Sequence, residues 1–276
     1  MKPGVLPLAL GLALAAVTGS GWAAENHDAA KKAEANSPVP AEKNVATRHV
    51  LHIDGGSLHY TAHAGTLLIH DDKGKAIGSM FYVAYTKDGI KDKSKRPVTF
   101  LYNGGPGSAS LWMHMGSFGP KRVLTTNAGA TPPPPYQLVD NPDSLLDVTD
   151  LVFIDAMGTG FSTPVGSGTD KDFWGVDQDA TAFDKFITRY VTVNQRWNSP
   201  KFLYGESYGT TRSAALVDKL QNDGMAFIGV LLMTSLLNYG ELLPGLDLES
   251  NGTLHAFSAI SVYPLKYATP PVRPPA

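Results

Sequence analysis

The stretch Lys201-Phe-Leu-Tyr-Gly-Glu-Ser-Tyr-Gly209 decides the fold of this chain of 276 residues. Its first part, Phe202 to Tyr204, is typical of the end of a buried strand. The next five residues fit the pattern G-x-S-x-G, and Thr210 to Leu220 has the composition of a helix. A strand, a tight turn with Ser207 at its apex and a helix form the context in which a serine hydroxyl is presented as a nucleophile.

Such a turn holds its central serine in a strained backbone conformation, so the residues two before and two after it must be small. Gly205 and Gly209 meet this requirement. The five-residue pattern alone also fits an ordinary turn between a strand and a helix. The flanking strand and helix favour the catalytic interpretation, and we predict that Ser207 is a nucleophile.

The composition limits the classes of function. A hydrophobic content of 43% over 276 residues suffices for one large domain or two small ones. A net charge of −2 gives no general electrostatic reason to bind nucleic acid. The absence of cysteine excludes disulfides, thiolate catalysis and zinc–thiolate sites.

The N-terminus, residues 1–23, has the pattern of a secretory signal peptide. Lys2 precedes an apolar run from Leu6 to Val17, and small residues at Gly21 and Ala23 suit cleavage after Ala23. The run is short for a membrane span, although an uncleaved anchor is the alternative. We predict a bacterial periplasmic or secreted protein with no membrane association after cleavage.

The remaining chain divides into three parts. Residues 24–47 carry almost no large apolar side chains and are predicted to be a disordered linker. Residues 48–240 alternate between strand and helix patterns, which predicts an α/β core with a mostly parallel central sheet and helices on both faces, preceded by antiparallel strands. The predicted elements are antiparallel strands over 49–53, 58–70 and 76–86, buried strands over 97–102, 150–155, 202–204 and 227–233, and helices over 177–190 and 210–220.

Five of the eight histidines fall between residues 49 and 70, which raises the question of a metal site. His59 and His63 have the spacing of helical ligands, but on a strand four residues separate two side chains by about 13 Å. Solvated histidines on a strand are the better interpretation. No metal and no cofactor is predicted.

A glycine cluster follows the strand over 97–102 and reads Asn103-Gly-Gly-Pro-Gly-Ser-Ala-Ser110. Glycines in this position allow backbone amides to approach a ligand closely. A phosphate-binding loop would continue with G-K-[ST], which is missing here, so nucleotide binding is disfavoured. In a serine hydrolase the loop after this strand supplies an amide of the oxyanion hole.

Four spaced elements together resemble the serine carboxypeptidases, a branch of the α/β-hydrolase fold, and especially their bacterial members. They are the N-terminal antiparallel strands, the glycine loop in 101–108, residues 142–145 leading into 153–162, and the motif 205–209. The resemblance covers roughly residues 48–240 and implies the α/β-hydrolase fold. It also implies a serine-type carboxypeptidase that hydrolyses the C-terminal bonds of peptide substrates through an acyl-enzyme.

The resemblance implies roles for individual residues. Ser207 would attack the scissile carbonyl, and the amides of Gly105 and Tyr208 would form the oxyanion hole. The positions that hold the terminal carboxylate of the substrate in this family are Asn103, Gly104 and Glu206. A neutral glutamic acid suits that role, because it can donate a hydrogen bond to a carboxylate.

Two departures from the family pattern bear on activity. A second glutamate, expected fourteen residues after Asn103, is replaced by Ser117. This departure leaves open the alternative that the protein is an esterase or an aminopeptidase of the same fold.

The second departure concerns the triad, whose order in this fold is Ser, Asp, His. Asp247 and His255 follow Ser207 but lie only eight residues apart, in a segment without a strand pattern. We therefore expect the triad acid and base to be absent, and residues 241–276 to be a truncated or irregular segment of a longer carboxypeptidase. The remaining alternative is a catalytically inactive domain that binds ligands.

Overall fold

The computed structural model of the protein describes residues 37–53, 55–125 and 133–235. The predicted signal peptide, most of the predicted linker and the segment 241–276 lie outside these ranges. All of the strands and both of the helices predicted inside them are present.

Ten strands form two sheets in the described part of the chain. The strands are β1 Asn44–Ile53, β2 Gly56–His70, β3 Ala76–Lys87, β4 Val98–Tyr102, β5 Lys121–Val123, β6 Leu138–Asp140, β7 Asp150–Ile154, β8 Thr163–Pro164, β9 Lys201–Glu206 and β10 Gly229–Met233. The large sheet has the order β1-β2-β3-β7-β4-β9-β10, with β8 paired to β3, and β5 pairs with β6 in a small second sheet. Strands β7, β4, β9 and β10 run parallel, whereas β1, β2 and β3 form the antiparallel part.

Two long helices and several short helical turns complete the fold. The long helices are α1 Val176–Val193 and α2 Tyr208–Asn222. The short turns are the 3₁₀ helices Lys93–Lys95, Leu145–Asp147 and Asp170–Asp172, and the α-helical turn Leu111–Met113, which continues as a π-helix over His114–Phe118.

The two faces of the large sheet are covered differently. On one face, which we call the helix face, α1 and α2 bury aromatic and aliphatic side chains such as Phe183 and Leu216 against the strands. The opposite face is covered by short turns, which contribute Met113 and Leu146 to a smaller cluster. Burial of apolar area on both faces stabilises the sheet.

Strand β1 starts at Asn44, four residues before the predicted boundary of the core at residue 48. Within the predicted linker, the Glu42 carboxylate accepts a hydrogen bond from the amide of Leu68 at 2.7 Å and forms an ion pair with Arg189 at 2.8 Å. An edge strand is held by main-chain pairing, so this segment needs no large apolar side chains. The compositional argument for disorder therefore missed it.

A buried ionic network lies at the N-terminal ends of the parallel strands. The carboxylate of Asp150 accepts hydrogen bonds from Arg96 Nε at 3.0 Å and from Arg196 Nη1 at 2.5 Å. Arg196 also donates to the carbonyl of Arg96 at 2.8 Å. All three side chains are buried, and each charge is paired, as burial requires.

Asp184 on α1 is a buried carboxyl group whose Oδ1 has no hydrogen-bond partner within the described residues. Burial, reinforced by the neighbouring carboxylate of Asp223, raises the pKa of Asp184 to about 6, although Lys219 and Lys185 act in the opposite direction. The folded protein therefore binds a proton that the unfolded chain has released between about pH 4 and pH 6. As a consequence, the free energy of unfolding falls as the pH rises through this window.

We expect the Asp184→Asn substitution to raise the free energy of unfolding at pH 7 by about 1–2 kcal/mol, because the amide carries no charge to desolvate. The gain should vanish near pH 4. Urea denaturation at both pH values measures it, with exposed Asp218→Asn on α2 as the control. A gain in stability of the same size at pH 4 would show that the gain does not come from the ionisation of Asp184.

Candidate active site

Ser207 occupies the sharp turn between β9 and α2, as the sequence pattern predicts. Its backbone angles are φ 56° and ψ −122°, a region that side-chain-bearing residues rarely adopt. The turn is fixed from both sides: the Ser207 amide donates to the carbonyl of Met233 at 2.9 Å, and the Ser207 carbonyl accepts from the amide of Thr210 at 2.9 Å. Strain held in place by surrounding bonds is typical of functional sites.

The two glycines of the motif are required by space. A Cβ on Gly205 would lie 2.5 Å from Ser213 Oγ and closer still to the carbonyl oxygen of Gly209. A Cβ on Gly209 would lie 3.0 Å from the carbonyl oxygen of Tyr102. The turn can therefore form only with glycine at position 205, and position 209 leaves little room for any side chain.

The glycine loop after β4 lies directly against this turn. A Cβ on Gly104 would stand 2.6 Å from the carbonyl oxygen of Glu206 and 2.7 Å from the amide of Gly209, and nearer still to the amide nitrogen of Tyr208. Gly104 is buried, whereas Gly105 is exposed and has a φ of +105°. The loop thus lies next to the first amide of α2, that of Tyr208, which directly follows Ser207 in the chain.

The side chains of Asn103 and Glu206 are joined, as a shared subsite would require. Asn103 Nδ2 donates to Glu206 Oε2 at 2.9 Å, and Asn103 Oδ1 accepts from the amide of Met113 at 3.0 Å. The other carboxylate oxygen of Glu206 lies 3.3 Å from the hydroxyl of Thr234. Asn103 is 2% exposed, so its orientation is fixed by these bonds.

The π-helical turn that follows Met113 is held by His114. The ring of His114 stacks on Phe153 at 4.5 Å between centroids, and its Nε2 is hydrogen-bonded to the hydroxyl of Tyr85 at 2.6 Å. Burial lowers the pKa of His114 to about 4, so the ring is neutral at pH 7. Sequence reasoning missed this residue. Its contact anchors the turn from which the Met113 amide reaches Asn103.

Ser117, which stands where the family pattern has a second acid, belongs to the same π-helical turn. Its carbonyl oxygen accepts a hydrogen bond from Asn141 Nδ2 at 2.5 Å. Asn141 is fully buried and also donates to the carbonyl of Gly119 at 2.8 Å. Asn141, which directly precedes the segment 142–145 quoted above for the resemblance, therefore fixes the end of this turn.

Arg212 is a buried cation behind the turn, and sequence reasoning missed it too. Its side chain is 1% exposed. Nε donates to Asp179 Oδ2 at 2.7 Å and Nη1 donates to the carbonyl oxygen of Asn103 at 2.8 Å. The guanidinium also lies 5.2 Å from the ring centroid of Tyr208. Arg212 thereby connects the glycine loop, α1 and the first turn of α2.

A second loop, after β7, is tied to the glycine loop through Asp155. One carboxylate oxygen of Asp155 accepts hydrogen bonds from both the amide and the hydroxyl of Ser110, each at 2.9 Å. A Cβ on Gly160 would collide with the same carboxyl group. These contacts fix the end of the glycine loop relative to the neighbouring strand.

The remaining residues and features named in the sequence analysis are the strand histidines, metal ligands, membrane spans and the last acid and histidine. His59 and His63 lie on β2, so the strand that separates them is present. Within the described residues there is no group of three or more His, Cys, Asp or Glu side chains that could hold a metal ion. None of the helices in those ranges is both long and apolar enough to cross a bilayer. Asp247 and His255 lie outside the described residues.

Comparison with known proteins identifies the family of this chain. Residues 55–229 match the family model described as serine carboxypeptidase (Peptidase_S10). The chain is 27% identical over 184 residues to the pheromone-processing carboxypeptidase KEX1 of Yarrowia lipolytica, which is 66% of this chain and 27% of that protein. It is 30% identical over 162 residues to the serine-type carboxypeptidase F of Aspergillus niger, which is 56% of this chain and 27% of that protein.

A solved structure shares the fold. The prohormone-processing carboxypeptidase KEX1(delta)p of Saccharomyces cerevisiae superimposes with a TM-score of 0.50 and 20% sequence identity, over 76% of this chain and 48% of that chain. The chain thus spans about a quarter of the length of the two curated relatives. The predicted α/β-hydrolase fold is confirmed by this likeness. Because the family model covers more than half of its residues, the chain belongs to the serine carboxypeptidase family.

Proposed function

We propose that the protein is a serine-type carboxypeptidase that cleaves the C-terminal bond of a peptide through an acyl-enzyme on Ser207. The observation that carries this proposal is the contact between Gly104 and the amide of Tyr208, next to a serine held at a positive φ. That contact supports the proposal, because an oxyanion hole needs a loop next to the amide that follows the nucleophile.

In the proposed reaction, the Ser207 hydroxyl attacks the scissile carbonyl and gives up its proton to a general base. The carbonyl oxygen becomes negatively charged and accepts hydrogen bonds from the amides of Gly105 and Tyr208. The C–N bond then breaks, the amine takes a proton, and water hydrolyses the ester on Ser207. Within residues 37–53, 55–125 and 133–235, no histidine is hydrogen-bonded to Ser207. We therefore assign the role of general base to none of these residues.

The terminal carboxylate of the peptide would bind beside Asn103, Gly104 and Glu206. The Asn103 side-chain amide is already oriented by Met113 and Glu206, so it is preorganised beside Glu206. A protonated Glu206 would donate a hydrogen bond to the incoming carboxylate, whereas an ionised one would repel it.

We expect the protein to bind N-acetyl-Phe-Gly with a free carboxylate about ten times more tightly than the same dipeptide with a C-terminal amide. Hydrogen bonds to a charged group are worth about 1.5–3 kcal/mol, which accounts for that ratio. Isothermal titration calorimetry on the full chain measures both affinities, and it does not depend on turnover.

Two variants sharpen this experiment. Glu206→Ala should abolish the preference for the free acid, whereas Glu206→Gln should retain part of it, since the amide still donates a hydrogen bond. Equal binding of acid and amide by the unsubstituted protein would refute carboxylate recognition and favour an esterase.

We also propose that the protein is exported to the periplasm or secreted. The support for this is the pattern of residues 1–23 described above. Fractionation of cells that express the full chain should find it, shortened after Ala23, outside the cytoplasm. Recovery of the uncut chain in the cytoplasm would count against export.

A further inference from the structure

A small cavity of about 220 Å³ opens at the N-terminal ends of the parallel strands, next to the buried network of Asp150. We call it the basal cavity. Its walls come from His63 on β2, from the end of β3 and the turn after it, and from the last turn of α1 and the loop that follows. Ser207 lies beyond the other end of β9, whose six residues span about 20 Å. The basal cavity is therefore separate from the proposed active site.

The hydroxyl of Tyr190 is a polar group at this cavity that has no partner. Its ring packs edge-on against Tyr82 and Phe100 in the core, and the residue is 3% exposed. Burial raises the pKa of the hydroxyl, and the charges of Arg196 and Asp150, which also line the cavity, act on it. Within the described residues this hydroxyl forms no hydrogen bond. It therefore faces the cavity as a protonated donor.

Arg196 offers a second donor to the same space. The residue is 3% exposed and lines the cavity. Its Nε donates to Ser199, its Nη1 to Asp150, and its Nη2 to the carbonyls of Arg96 and Pro97. These bonds occupy four of the five N–H groups of the guanidinium. The second N–H of Nη1 has no partner in the described part of the chain, so a buried cation retains a donor for a ligand.

The side chains around the basal cavity carry an excess of positive charge. The carboxylate of Asp150 is paired with two guanidinium groups, those of Arg96 and Arg196. Lys93 adds another cation at the rim. Its Nζ donates to the carbonyl of Asn194 at 3.0 Å, which leaves two N–H groups of the ammonium for a ligand. An anion that enters the cavity is attracted, whereas a metal cation is repelled.

The groups that would repel an anion are already engaged. The C-terminal carbonyls of a helix carry partial negative charge. In α1, however, the carbonyls of Tyr190 and Val191 accept hydrogen bonds from amides of the loop that follows the helix. Asp88, in the turn after β3, does not line the cavity and accepts a hydrogen bond from the hydroxyl of Thr61 at 2.7 Å. The cationic groups therefore determine which ligand fits.

We propose that the basal cavity binds a phosphate ion. The phosphate oxygens would accept hydrogen bonds from Tyr190, Arg196 and Lys93, and ionised acceptors of this kind form strong bonds with cationic donors. A phosphate group carries about −1.5 to −2 charges near pH 7, so it matches the excess of positive charge better than a carboxylate does. The cavity is smaller than the range of about 300–1,000 Å³ that is usual for larger ligands, which favours a small ion.

Isothermal titration calorimetry of the full chain with sodium phosphate at pH 7 tests the proposal. Sodium chloride holds the ionic strength constant, so that general screening does not change during the titration. We expect a single phosphate to bind per chain. Sodium acetate, an oxyanion with one charge, should bind at least about ten times more weakly. Acetate that binds as tightly as phosphate would refute the assignment to phosphate.

Substitutions at the cavity locate the binding. Lys93→Met should weaken phosphate about tenfold and Tyr190→Phe about fivefold, since each removes a hydrogen bond to a charged group. Lys93→Arg should keep most of the affinity, because it retains a charge and donors. The matched control is Lys95→Met, on the same 3₁₀ helix, which removes an exposed cation that does not line the cavity. It should change the affinity by less than about twofold.

A general attraction of anions to a basic surface would give a different pattern. The inference is wrong if Lys95→Met weakens phosphate as much as Lys93→Met does. It is also wrong if Tyr190→Phe, which leaves the ring in the core, binds phosphate as tightly as the unsubstituted protein. A titration without heat, together with a melting temperature that phosphate does not raise, would overturn it as well. None of these results bears on the carboxypeptidase proposal, because the two sites lie at opposite ends of the sheet.

Discussion

Gly104→Ala is expected to lower the free energy of unfolding by about 3 kcal/mol, a cost at the upper end of the range for overpacking. The added methyl group would have to share space with the amide of Tyr208 and the carbonyl of Glu206. Both are backbone atoms at the turn and cannot rotate away. The chain would relieve the overlap only by moving the glycine loop away from α2.

That movement would also disturb the proposed oxyanion hole, where the loss of one donor costs about 3–4 kcal/mol of transition-state stabilisation. Urea denaturation followed by circular dichroism measures the stability change. Gly116→Ala is the matched control, since a Cβ there meets nothing within 4 Å, and it should be nearly neutral. Equal stability of the two variants would show that the loop is not packed against the turn as described.

Arg212→Met should destabilise the protein by about 3–5 kcal/mol, the cost of removing one partner from a buried ion pair. Methionine keeps most of the side-chain volume, so the loss is electrostatic rather than a cavity effect. Asp179, whose side chain is 13% exposed, would retain its charge without a partner. The carbonyl of Asn103 would lose its donor as well.

The size of the destabilisation distinguishes a buried ion pair from an ion pair at the surface. Arg189→Met, which breaks the half-exposed pair with Glu42, should cost no more than about 1 kcal/mol. The double variant Arg212→Met, Asp179→Asn should recover part of the lost stability, because leaving a neutral amide unpaired costs less free energy than leaving a carboxylate unpaired. A loss for Arg212→Met as small as that for Arg189→Met would contradict the buried network.

The turn at Ser207 and the glycine loop could be predicted from the sequence because their requirements are local. Glycine two residues before the serine is required by contacts within the turn and its helix, and the spacing of the motif is visible in any single chain. The same holds for the strands that precede both features. Their apolar runs and following glycines place Asn103 and Ser207 at strand ends.

The partners of these residues could not be predicted, because they come from distant parts of the chain. Asn103 and Glu206, whose side chains are hydrogen-bonded, are 103 residues apart in sequence. For Arg212 a signal did exist. It lies four and eight residues before Leu216 and Leu220, both buried, so the helical period places a cation on the inward face of α2.

The Asp150 network and the Ser207 turn lie at opposite ends of the same parallel strands. Substitutions in the loops over 156–162 and 173–176 therefore do not contact the ionic network at the other end of the sheet. A combinatorial library confined to the exposed positions Phe161, Trp174 and Val176 of those loops should contain a high proportion of folded members. Under the proposed function, a change of substrate preference would then leave the Asp150 network intact.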